Sequence, residues 1–409
     1  MPVIDELELV DLPIESAEFG DDPMPFMDAA WRQHPWLARS SLGFVVTGFR
    51  EIDEIMRLND NLRMPGDDIV GFMGAEGTGW GDFAVDQMLA SSGERHARLR
   101  GSISPAFGPG SVKRLRPIMR EAISSLLDEW APKGSFEFTE FASNFPVRSM
   151  FALMGTPVER LPAIISSLEI HGQSFNFEVE KMGIIEDAYQ ILWRFADDLI
   201  AERARDGARD DLLDAMIAGN TRGELSDKEL RQLVILLFAA GYDTTKNLLT
   251  MLMRSLIDNP EIYRRCGEDF DYCKKVIREQ LRFTGPASGM RMVTETFDYK
   301  DVTFPDGTTL IFPLAIAGRD PNVFSNPMTF DPDRPEKAGN VAFGRGMHIC
   351  LGQFLALANV EEGIHVIAQR IPNPRLVRKE EWRRFPGVWG IKSLPIAFDP
   401  MPAEAALAS

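Results

Sequence analysis

"FGRGMHICLG", residues 343–352, is the stretch on which the reading of this 409-residue chain turns. It sets Cys350, one of only three cysteines, between a glycine-rich loop and a run with helical spacing, Leu355, Ala358 and Glu362. Gly344 and Gly346 allow positive φ, which lets backbone lie close against another object. A cysteine at a helix N-terminus faces free N–H groups that favour thiolate over thiol. Such a loop suits thiolate ligation of a flat metal cofactor. An isolated cysteine is more often a small buried hydrophobe, so the rest of the chain has to decide. Cys266 and Cys273, seven apart in helical text, read as packing residues of that kind, and no CxxC pair or zinc-spaced histidine accompanies them.

The formal charge of −17 argues against a nucleic-acid partner and for a self-repelling, monomeric protein. The first residues, "MPVIDELELVDLPIE", are acidic and lack the cationic segment of a signal peptide. The longest uninterrupted apolar run is "LVILLFAA", Leu233 to Ala240, far short of the roughly 18 residues a membrane span needs. A cytoplasmic protein with no membrane partner is expected. No linker or repeat divides the chain, so one domain over 1–409 is expected, mainly α with small β-sheets.

Residues 226–259 read as one long helix. "SDKE" is a capping box with Ser226 at the N-cap and Glu229 three positions on, and Asn259-Pro260 closes it. Its middle, "AAGYDTT", collects three local penalties: Gly241 against helix propensity, Asp243 against burial, and Thr244 through back-bonding to a carbonyl. Three penalties at one place predict a function, with the helix opened near Gly241. Lys246, three residues after Asp243, is placed to pair with it.

Residues 64–93 contain seven glycines and read as a long flexible lid loop over a substrate pocket, carrying Phe72, Met73, Trp80 and Phe83. Phe175, Phe177, Leu237, Ala240, Ala287 and Ser288 are the other expected pocket walls. Between Arg95 and Arg120 stand seven Lys or Arg and no acid, a candidate docking face for an acidic partner.

Taken in order, these pieces resemble the cytochrome P450 superfamily of haem-thiolate monooxygenases, over nearly the whole chain. "FGRGMHICLG" fits its F-G-x-G-x-H-x-C-x-G haem loop, "AGYDTT" its A-G-x-[DE]-T-T helix pattern, and "EQLR", Glu279 to Arg282, its E-x-x-R motif. "FDPDR" adds Arg334 to that last network, and "ERHARLR" resembles the helix beside the haem. "RDPNVFSNP" and "KSLPIAFDP" look most like soluble bacterial members such as the camphor hydroxylase branch.

The resemblance implies a single-domain fold with haem b as cofactor and Cys350 as axial ligand of its iron. It implies Phe343 and Gly344 in the haem loop, and His96, Arg100, Arg291 and His348 as partners of the haem propionates. It implies Asp243 and Thr244 as proton-delivering residues, with Glu279, Arg282 and Arg334 as a structural charge network. The expected activity is hydroxylation of a small to medium apolar substrate (terpenoid, alicyclic or aromatic) with O2. Electrons would come from a ferredoxin and its NAD(P)H-dependent reductase. The alternatives are a peroxide-driven peroxygenase and a non-catalytic haem sensor or carrier. The intact Asp243-Thr244 pair speaks against the sensor and the basic 95–120 stretch against the peroxygenase.

Overall fold

The computed structural model describes residues 1–335 and 339–400. Its axis is the central helix, Asp227–Ile257, capped by the reciprocal Ser226 and Glu229 hydrogen bonds that the sequence predicts. Most of its length is buried, because apolar residues surround it on nearly every face. Helices Pro146–Leu153, Ile165–Gly172, Met182–Asp206 and Gln353–Arg370 all pack on it. The last of these follows the Cys350 loop and lies along helix Pro109–Trp130.

The small β component sits to one side. One sheet orders Leu37–Ser40, Gly43–Val46, Thr309–Phe312, Gly289–Val293 and Leu62–Arg63, with a single parallel pairing, Gly43–Val46 with Thr309–Phe312. Gly289–Val293 carries Arg291, opposite Leu310. A late hairpin, Glu381–Trp382 with Ile391–Ser393, brings Arg383 towards the central helix.

Two expectations need correction here. Residues 64–93 are not irregular: they form helices Gly66–Met73 and Gly79–Asp86, the second capped by Thr78. Glycine is needed at 81 for packing, since a Cβ there would lie 2.2 Å from the carbonyl oxygen of Ala75. The central helix is also continuous through Gly241, with no opened turn. Gly241 serves a close approach instead, because a Cβ would meet Met150 Cγ at 2.8 Å.

Glu229 binds more than its cap. Arg98 donates to both of its oxygens at 2.8 and 3.0 Å, and Arg95 approaches at 3.4 Å. The Arg98 hydrogen bond is the largest influence holding the Glu229 carboxyl down at about 2. A depressed carboxyl stabilises the fold above its unfolded value and loses that contribution as pH falls through the folded value. Glu229→Gln should therefore lower stability at neutral pH, by about 1–2 kcal/mol after discounting for solvent. The deficit relative to the parent should shrink as pH falls from about 4.5 to about 2. Thermal melts across that range check it, and an unchanged deficit at pH 3 and pH 7 would refute the charge argument.

Candidate active site

Cys350 is presented by a loop whose geometry glycine makes possible. Gly344 and Gly346 take φ of 69° and 71°. A side chain at Gly346 would lie 2.4 Å from both the Met56 carbonyl oxygen and Asn59 Oδ1. Cys350 N–H donates to the Phe343 carbonyl at 2.8 Å, closing the loop on itself. Burial pushes the Cys350 thiol up, while the Gly352 N–H and Arg100 pull the other way. The net rise departs from the expectation of a helix terminus holding a thiolate: the helix starts at Gln353, and desolvation outweighs its donors. A coordinated metal deprotonates such a thiol itself.

Beside the loop, the structure brings His96, Arg100, Arg291 and His348 together. The two imidazoles meet edge to face at 4.6 Å between centroids. His96 Nε2 and His348 Nδ1 are buried without a hydrogen-bond partner among the described residues. Arg291 is buried and, among the described residues, bonds the Met290 carbonyl at 2.7 Å and Met64 sulfur; burial brings it down to about 10. His348 falls to about 3, through burial first and then Arg291, His96 and Arg100. Among the described residues, no carboxylate forms an ion pair with Arg100 or Arg291. Four converging donors with no anion between them fit a group that supplies carboxylates, as the two haem propionates do.

On the central helix, Leu237, Ala240 and Thr244 share one face. Ala240 is exposed and Thr244 half-buried, although most of the helix around them is buried. The Thr244 hydroxyl donates to the Ala240 carbonyl at 2.9 Å, the back-bond its type favours. Asp243 points elsewhere and is 1% exposed. Its Oδ1 takes Asn247 Nδ2 at 3.0 Å and Lys246 Nζ at 3.0 Å, and Arg383 Nη1 lies 3.0 and 3.1 Å from its two oxygens. Lys246 thus stands where its spacing indicated. Arg383 was not visible to sequence reasoning, nor was Glu169, which binds Lys246, Arg383 and the Tyr242 hydroxyl. No local motif marks either residue.

The expected pocket walls divide. Ala287 and Ser288 are half-buried, and the Ser288 hydroxyl lacks a partner among the described residues. Met73, Trp80 and Phe83 are each 1% exposed and belong to the main core, so they are packing residues rather than open walls. Phe83 is consumed by contacts to His171 and Tyr189. Phe72 is 53% exposed and meets Phe177 edge-on at 6.1 Å, at the outer surface. The side chain of Phe175 lies outside the described residues. Behind the site, Arg282 grips Glu279 through two hydrogen bonds of 2.6 and 2.8 Å, and Arg334 joins at 3.2 Å.

A cysteine loop, an unanswered cationic pocket and a long buried helix define the class of haem-thiolate proteins. The family model described as "Cytochrome P450" matches residues 146–370, and the chain belongs to that family and is a monooxygenase of it. It is 31% identical to the luteothin monooxygenase of Streptomyces thioluteus, over 90% of this chain and 91% of that one. It is 29% identical to the biotin biosynthesis cytochrome P450 of Bacillus subtilis (strain 168), over 94% and 98%. Among solved structures, P450BioI in complex with an acyl carrier protein ligated to hexadec-9Z-enoic acid matches with a TM-score of 0.84 at 26% identity, over 93% and 100%. CalO2 matches in fold with a TM-score of 0.87 at 22% identity, over 96% and 100%. No helix among the described residues is long and apolar enough to cross a membrane.

Proposed function

We propose that this monooxygenase hydroxylates a small to medium apolar molecule, with electrons from an acidic ferredoxin and its NAD(P)H-dependent reductase. The observation that carries the reading is the convergence of His96, Arg100, Arg291 and His348, without an anion, beside the Cys350 loop. Cys350 would hold the haem iron in this reading, the four donors would hold the two carboxylates of haem b, and Phe343 would lie against the sulfur. When bound, haem b would supply oxygen activation, with the Cys350 thiolate donating electron density to its iron. Leu237, Ala240, Ala287 and Ser288 face the substrate, with Phe72 and Phe177 at the mouth. Thr244 Oγ1 holds a proton on the face it shares with Ala240, and Asp243 replenishes it by leaving its clamp. Glu279, Arg282 and Arg334 keep the region behind the loop rigid. The test is reconstitution with ferredoxin, reductase and NADH across a panel of apolar compounds, read first as shifts of the haem absorption band. Substrate-dependent NADH consumption with a hydroxylated product supports the reading, and binding without turnover would make the chain a sensor or carrier.

The docking face is smaller than the seven basic residues suggest. Arg95 and Arg98 bind Glu229, while Arg116 and Arg120 bind Glu361 and Glu362. Lys113 and Arg114 remain exposed, with no carboxylate partner among the described residues. Lys113 borders a groove of about 770 Å³ between helices Pro109–Trp130 and Gln353–Arg370, with Phe354 41% exposed on its wall. Basic residues around an apolar spot on the Cys350 side suit an acidic electron carrier. Lys113→Glu and Arg114→Glu should each slow ferredoxin-supported turnover several-fold at low salt and flatten its salt dependence. Peroxide-driven turnover should persist, and equal losses in both assays would mean structural damage instead of lost docking.

A further inference from the structure

Asp243 does not own its clamp. The Lys246 ammonium that lies 3.0 Å from Asp243 Oδ1 also binds Glu169 Oε2. The Arg383 guanidinium uses Nη1 for Asp243 and Nη2 for Glu169. Tyr242 donates its hydroxyl to Glu169 at 2.9 Å. The cluster therefore holds two carboxylates and two cations, from the central helix, helix Ile165–Gly172 and the Arg383 hairpin. The neighbouring helix also closes directly over Asp243, since a Cβ on Gly172 would lie 2.7 Å from Oδ2. Asp243 is sealed, with its side chain 2% exposed. Glu169 is 32% exposed and borders a groove of about 1180 Å³ that Tyr242, Lys246 and Arg383 also line.

Charge balance gives this arrangement a consequence. With Glu169 ionised, the four groups sum to zero, so protonating Asp243 leaves one uncompensated positive charge. Without Glu169, Asp243 would be the sole anion facing two buried cations, and protonating it would leave two. Burial raises Glu169, but Lys246, Arg383 and the Tyr242 hydrogen bond outweigh it and hold its carboxyl below the usual range. Glu169 is therefore a standing negative charge.

We propose that Glu169 is the positioning residue of the Asp243 acid: it shares Lys246 and Arg383, and so keeps Asp243 able to take up and give back a proton. This rests on the reading of Asp243 as the acid of the proposed function. The groups facing Asp243 are Lys246, Asn247 and Tyr242 from its own helix, Glu169 and Gly172 from the neighbouring helix, and Arg383 from the hairpin. Only Glu169 among them adds negative charge, and a like charge at this range eases protonation of its neighbour.

The test compares Glu169→Gln, Glu169→Asp, Asp243→Asn and Glu169→Gln/Asp243→Asn as haem-loaded proteins. Oxygen consumption is followed against pH with NADH, ferredoxin and reductase, using camphor as the probe compound. Glu169→Gln keeps the size and, through its amide oxygen, the Tyr242 and Lys246 contacts, but loses the charge and the Arg383 hydrogen bond. It should slow oxygen consumption about tenfold at neutral pH and move its pH profile to lower pH. Glu169→Asp should recover most of the rate. The double variant should be no slower than Asp243→Asn alone, because residues that act through one group are not additive. Melting temperature and haem content of Glu169→Gln guard against a folding effect. Additive losses, or an unmoved pH profile in Glu169→Gln, would overturn the role of Glu169 alone. An Asp243→Asn variant with parental oxygen consumption would overturn the proton path beneath it, and this proposal with it.

Discussion

Cys350→Ala should abolish turnover completely and remove the thiolate signature from the absorption of the reduced, CO-treated protein. Most of the helical content should remain. The Cys350 loop is fixed by positions where only glycine fits, Gly346 above all, so its course does not depend on the sulfur. The helix behind it is anchored by Asn359, which bonds Ser149 at 2.6 Å and the Leu355 carbonyl at 3.0 Å, well away from Cys350. The four-donor pocket of His96, Arg100, Arg291 and His348 is untouched by the change, so some haem should still bind through its carboxylates. The expected product is a protein that holds haem loosely without the sulfur-ligated band. If Cys350→Ala kept the parental spectrum, the axial assignment would be wrong, and Cys266 and Cys273 could not replace it, since both are fully buried in the core.

What was legible in the sequence is what neighbouring residues decide together. The central helix is written in a capping box four residues wide and a long apolar run. The Cys350 loop and the Glu279-Arg282 pair are equally local, and both form as their spacing indicates. Residues 64–93 misled because glycine has two uses. Read by composition it means a loop, yet Gly81 is there so that one segment can lie against another inside a helical turn. The basic stretch misled for a related reason: its charges can be counted locally, but the carboxylates that answer Arg98 and Arg116 come from 131 and 246 residues away. The Asp243 clamp is the extreme case. Arg383 lies 140 residues from Asp243 and 214 from Glu169, and only the folded chain puts the three together. Of the three penalties at "AAGYDTT", the structure gives Gly241 a packing reason in Met150 and Asp243 an ionic one. Thr244 keeps no such structural excuse.

That asymmetry sets the second large expectation, in which the two residues fail differently. Asp243→Asn removes a carboxylate that Lys246 and Arg383 both face, and with it the group able to carry a proton through the helix. A positioned acid or base is typically worth about 10²–10⁴ in rate. Oxygen consumption itself should slow by that order, with haem and substrate binding little changed. A loss nearer tenfold would mean that water reaches the site by another path. Thr244→Ala deletes one methyl and a hydroxyl, the latter bonded to the Ala240 carbonyl on the face the helix leaves uncovered. Little packing is lost at this half-buried position, so the fold and the NADH consumption should both survive. What should change is where protons arrive: product per NADH falls, and hydrogen peroxide rises to match. The pair of variants separates the reading from its rivals, because a haem carrier would show neither effect and a peroxide-driven enzyme would show no dependence on NADH. Should Thr244→Ala keep both rate and coupling, the hydroxyl would be an ordinary helix back-bond, and proton delivery would have to run through Asp243 alone.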